Sequence, residues 1–128
     1  MKIIRLTDRI RIKCNEIEVV IAPLNKHQKA EIQSAFKTKD GKTEVDYEAL
    51  ALKTIQFSVK TVSGITDYND EQYVVSFEHD MDILTEECAM ELLGVFSSTN
   101  ITAAISAAIS QNLAPIEGVE FKVESPKK

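Results

Sequence analysis

Cysteine is scarce in this chain of 128 residues, which has only Cys14 and Cys88. They are far apart and lack metal-ligand spacing, so a disulfide framework and a thiolate zinc site are both excluded, and reduced thiols in a cytoplasm are expected. Histidine is equally sparse. His27 and His79 are the only imidazole bases available for nucleophilic catalysis. Long apolar runs are missing too: nothing approaches the ~18 residues of a membrane span, and the opening "MKIIRLTDRIRIK" is broken by charges. Neither a secretory signal nor a membrane anchor is expected. Three tyrosines and five phenylalanines stand singly at core-like positions, which leaves no stacking platform for single-stranded nucleic acid. P-loop, dinucleotide-binding, nucleophile-elbow and Cys-x-x-Cys patterns do not occur.

What is present is an average globular mixture, 44% hydrophobic and 27% charged, which argues for a folded chain. The net charge of -5 repels phosphates, and the basic residues form no single stripe, so nucleic-acid binding is disfavoured. Lys26, Lys29, Lys37, Lys39 and Lys42 make one region basic, and the stretch from Glu78 to Glu91 is acidic. These read as two solvated faces; the functional alternative is head-to-tail self-association into a homo-oligomer.

Ile10 and Ile12, then Ile17, Val19 and Ile21, alternate around Asn15 and predict an opening β-hairpin that ends at Pro23. Asn25 with Gln28 three residues on forms a capping-box pattern for a helix from about Lys26 to Phe36. The polar tract "KTKDGKTE" predicts a mobile loop around the turn dipeptide Asp40-Gly41. Asp46 caps the longest predicted helix, in which Leu50, Ile55, Val59 and Val62 recur near helical spacing up to Gly64. Tyr73, Val75 and Phe77 alternate as a strand expected to join the hairpin's sheet. Thr85, followed by Glu86 and Glu87, starts a helix whose buried side is Cys88, Leu92, Leu93 and Phe96.

After "SSTN", the run "ITAAISAAISQNLA" places Ile101, Ile105, Ile109 and Leu113 on one helix face, flanked by Ala, Thr and Ser. The ordinary reading is a core helix. The functional one is a docking ridge, joined by Leu92 and Phe96, that another helix approaches closely. Val119, Phe121 and Val123 predict a closing strand, and "SPKK" a solvated tail. The order β-β-α-α-β-α-α-β implies an α+β fold, a small antiparallel or mixed sheet with about four helices mainly on one face. One domain over residues 1–124 with a tail at 125–128 is expected.

Candidates for chemistry are weak. His27 sits among lysines and reads as a surface residue, and His79 as a turn among acids. Cys88 stands at a core position, where free cysteine usually serves as a small hydrophobe; nothing near Cys14 beyond Arg11 and Lys13 would activate it. Asp67, Asn69, Glu71 and Glu78 occupy first, third, fifth and twelfth positions of a calcium loop, but Gln72 replaces the glycine its turn requires. No cofactor, no metal and no catalytic residues are expected, so a non-enzyme is.

The segments "IEVVIAPLNKHQKAEI", "ALKTIQFSVKTVSGI" and "YVVSFEHDMDILTEECAMELLGVF", spanning about Glu16 to Phe96, resemble tail assembly chaperones of long-tailed bacteriophages. The resemblance is one of pattern and carries no residue motif. It implies a protein of the host cell cytoplasm that binds the tape-measure protein and tail-tube subunits during assembly. It also implies that a frameshifted longer form exists in many such phages, with which the terminal Lys127-Lys128 is compatible. Alternatives are a structural virion protein (decoration, adaptor or head-tail joining) acting by self-association, and an anti-defence inhibitor mimicking nucleic acid, for which -5 supplies a thin carboxylate surface.

Overall fold

The computed structural model describes residues 3–78 and 82–126. The two alternating runs at the start pair as β1 (Arg9–Cys14) and β2 (Ile17–Ile21), with Asn15 at φ 55 in the turn. Their inward set, Ile10, Ile12, Val19 and Ile21, is wholly buried. Each such side chain contributes roughly 1.5–3 kcal/mol of burial, enough to fix the register against a one-residue slip. α1 (Lys26–Ile32) begins at Asn25 through the expected capping box: Asn25 Oδ1 accepts from the Gln28 amide at 2.8 Å, and Gln28 Oε1 accepts from the Asn25 amide at 3.1 Å. The helix is shorter than its pattern, tightening into a 3₁₀ turn at Gln33–Ala35 before Phe36 turns extended.

The polar tract is a second hairpin, not a loop. β3 (Phe36–Lys39) and β4 (Lys42–Val45) pair in register through Asp40 at φ 53 and Gly41 at φ 75, the left-handed pair of a two-residue turn whose twist matches its strands. α2 (Tyr47–Ser58) is the longest helix, and Asp46 Oδ1 accepts from the Ala49 amide at 3.1 Å. It stops four residues before the expected end of its apolar pattern. Val59 and Val62 belong to a strand, β5 (Val59–Ser63), which pairs antiparallel with β2. Gly64 closes that strand at φ 84, so tightly that a Cβ there would lie 1.8 Å from the Glu16 carbonyl oxygen.

The sheet order is β5-β2-β1-β6, antiparallel throughout, with β6 (Val119–Glu124) along the far side of β1. The flanks of the β1–β2 hairpin are taken by β5 and β6, and the alternating Tyr73–Phe77 segment does not join the sheet. Phe77 makes an isolated bridge with Leu84 instead, and just before the segment Thr66 bridges Gln72. Its alternation still operates: Tyr73 and Val75 pack on the core while Val74 faces solvent.

α3 (Glu86–Phe96), capped by Thr85 Oγ1 on the Cys88 amide at 3.1 Å, packs against α2; α4 (Ile101–Ile109) lies against β1. The result is the α+β fold, a small antiparallel sheet with helices over its apolar face. The other face carries charge. Arg11 donates through Nε to Glu124 at 2.7 Å and through Nη1 to Glu18, bridging β2, β1 and β6. Among the described residues no single helix is long and apolar enough to cross a membrane; α3 and α4 pass such a test only as a pair bent by 117°.

Candidate functional site

The expected docking ridge is turned inward. Ile101, Ile105, Leu92 and Phe96 are at most 1% exposed, packed with Ile10, Ile12, Val19 and Ile21 in the main core. The small residues Ala104 and Ala108 let α4 settle close to the sheet, so the close approach foreseen for a foreign helix is used within the chain. The ridge as a free surface is therefore corrected. Its two remaining members, Ile109 and Leu113, are half-buried against the same core; Ile109 also packs on a smaller cluster of Leu24, Ile32 and Phe57, and Leu113 lines a hollow with Asp8 and Gln111.

An apolar opening does exist beside the ridge, and Ile105 and Ile109 of the ridge contribute to its lining. Between α1, β3, α2 and α4 lies a hollow of about 390 Å³ whose apolar walls are Leu24, Ile32, Phe36, Leu50 and Ile109. A second, of about 270 Å³, adjoins it through the shared Leu50, Thr54 and Ser106 and reaches Tyr47. Together they form one groove. Phe36 is 44% and Tyr47 75% exposed at its margins, large apolar surface that the fold leaves in water. Both are placed by the second hairpin: Phe36 opens β3, pairs with Val45 of β4, and Tyr47 follows the Asp46 cap. Lys29 lines the wall, and Lys26, Lys37 and Lys42 are exposed on the neighbouring elements. Of the lining, the sequence marks Ile105 and Ile109 on the α4 stripe; Leu24, Ile32, Phe36 and Tyr47 come from separate segments, and an aromatic at each end of a polar hairpin is the one local signal for the last two.

The sites considered for chemistry are placed as follows. His27 is exposed on α1. His79 and Asp80 lie outside the described residues. Cys88 is buried, its Sγ 3.2 Å from the Tyr73 hydroxyl and 3.5 Å from the Ser76 amide, a packed thiol without access for a substrate. Cys14 is also buried, against expectation, because it continues the inward set of β1. Asp67 Oδ1 accepts from the amides of Asn69 and Glu71 at 2.8 and 3.0 Å, so this carboxylate organises a tight turn. Among the described residues no three His, Cys, Asp or Glu side chains gather to hold a metal ion.

One polar group is unusual. Asp8 is only 3% exposed in the lining of the hollow that Leu113 shares, and its Oδ1 has no hydrogen-bond partner among the described residues. Its Oδ2 accepts from the Arg5 amide at 2.8 Å. That bond first, and then the nearby Ser125 hydroxyl, hold the carboxyl below its ordinary value against the opposing effect of burial. Comparison with protein families, with characterised proteins and with solved structures yields no match to this chain in any of the three.

Proposed function

We propose that this protein acts by binding another polypeptide, as a non-catalytic tail assembly chaperone of a long-tailed bacteriophage that engages the tape-measure protein and tail-tube subunits. The observation that supports it is the open groove between α2 and α4, whose apolar walls and exposed margins at Phe36 and Tyr47 have no cover among the described residues. The pattern resemblance over residues 16–96 supplies the particular partner. An amphipathic helix is the occupant that fits, its apolar stripe against Leu50 and Ile109 and its acidic side toward Lys29. Such an escort covers a helical stripe until assembly buries it.

The test is co-expression with the tape-measure protein and recovery of the complex. Wild type retains the partner; Phe36→Ser with Tyr47→Ser, two changes at exposed positions, lowers retention several-fold while leaving the circular dichroism unchanged. Equal retention by the double variant sinks the groove as the contact. A second reading, a permanent virion component, is favoured by the exposed lysines at 26, 37 and 42 opposite in sign to exposed Glu86, Glu87 and Glu91. Stoichiometric protein in mature particles selects that reading; absence from them selects the chaperone.

A further inference from the structure

We propose that β6 is a self-pairing edge, through which two copies of this chain join antiparallel strand to strand into one continuous sheet. The inference stands apart from the groove and from the phage reading.

The two sides of the sheet end differently. β5 is joined to β2 through a register shift between Val20 and Ile21, and it stops at the constrained Gly64, features that twist an edge and discourage further pairing. β6 has neither. It pairs with β1 over six consecutive residues without interruption, from Arg9 with Glu124 to Cys14 with Val119, and no proline or glycine interrupts Val119–Glu124. Among the described residues its other side has no partner strand. Its inward residues are also incompletely covered. Val119 and Phe121 are half-buried and Val123 is 37% exposed, although they lie directly across from the fully buried Ile10 and Ile12 and from Cys14.

The sequence of β6 selects one register for a second copy. Directly opposed residues of an antiparallel pair share a sheet face, so an arrangement that keeps the helices of both copies on one side must pair inward residues with inward ones. Centring the two-fold axis on Phe121 places Phe121 against Phe121, Val119 against Val123, and Glu120 against Lys122 twice. Moving the centre to Lys122 sets Lys122 against itself and Glu120 against Glu124. Moving it to Glu120 sets that carboxylate against itself. Centring on Val123 opposes Lys122 with Glu124, but Glu124 is already held by Arg11, and Val119 and Glu120 fall outside the pairing. Of these registers the Phe121-centred one alone pairs all of Val119 to Val123 and turns both Glu120 and Lys122 into attractions, whereas like charges so placed are destabilising. It is the self-complementary patch that a two-fold interface requires.

Charge reversal followed by charge exchange tests this, read by sedimentation velocity at protein concentrations from micromolar to sub-millimolar. Wild type forms a dimer. Lys122→Glu, which opposes Glu120 with Glu twice, weakens dimerisation by about tenfold or more. Within one sheet Lys122 stands across from Arg11, so that change relieves repulsion in the monomer, and loss of the dimer cannot be ascribed to loss of the fold. The double variant Glu120→Lys with Lys122→Glu recreates two opposite-charge pairs across the axis and restores the dimer. A monomeric wild type over that whole range overturns the proposal. So does a dimer that Lys122→Glu leaves intact, or one that the exchange fails to restore.

Discussion

The Tyr73 hydroxyl and the Cys88 sulfur stand 3.2 Å apart, joining the irregular segment after β5 to the first turns of α3. Burial first, and then this contact with Cys88, push the Tyr73 phenol above its ordinary value of 10.0. Above about pH 10 the unfolded chain sheds that proton while the folded chain keeps it. The contribution is therefore whole below pH 10 and declines as pH rises past it. Tyr73→Phe costs about 0.5–1.5 kcal/mol in urea unfolding at neutral pH and removes part of the alkaline decline. An alkaline limb identical to wild type counts against the contact.

Two glycines give opposite outcomes on exchange for alanine. Gly64 is in the left-handed region with the Glu16 carbonyl against it, so Gly64→Ala destabilises by about 2 kcal/mol or more. Gly94, inside α3, has nothing within 4 Å of the added methyl, and Gly94→Ala stabilises by about 0.5–1 kcal/mol. Thermal melts of the two variants should move in opposite directions.

Ile105 is a core residue, 1% exposed. Ile105→Ala costs about 2–5 kcal/mol through lost burial and the cavity left behind. Ile105→Asp places an unpaired charge in the same position and abolishes the folded circular dichroism signal. Any partner lost by that variant is lost with the fold, which makes it unsuitable for mapping a docking surface. A folded Ile105→Asp protein would contradict the inward placement of α4.

Acid sensitivity follows from two carboxyls. Arg11 holds Glu124 below its ordinary 4.5, and the Arg5 amide holds Asp8 below 3.8. In both cases the unfolded chain takes up its proton first as pH falls. Their contribution is present above those unfolded values and is lost on acidification through the lower folded ones. The Glu124 pair is solvent-exposed and screened, so its share is small. Combining Asp8→Asn with Glu124→Gln flattens the loss of stability between about pH 5 and 2 relative to wild type, as measured by denaturant midpoints across that range.

The hairpin of β1 and β2, the capping box at Asn25, the cap at Asp46 and the closing strand were legible because each rests on a local pattern with one physical solution. The boundary between α2 and β5 was not: Val59 and Val62 are three apart, a spacing that serves a helix face as well as a bulged strand, and only the free flank of β2 decides between them. The second hairpin escaped notice because it is exposed almost throughout, leaving no inward set to alternate. Tyr73 to Phe77 has a strand's alternation but does not join the sheet, where β5 and β6 flank β1 and β2. The isoleucines of α4 were recognisable as a stripe, but not the direction they face. Of the groove, Ile105 and Ile109 lie on the stripe that the sequence marks, but Leu24, Phe36, Tyr47 and Leu50 meet them only in space.

No residue separates Ser58, the last of α2, from Val59, the first of β5. One wall of the groove is thus spliced to the sheet without slack, and widening the gap would drag β5 along β2. In the binding role proposed above, a groove held so stiffly selects segments that already have the right width, which favours helices over extended chain.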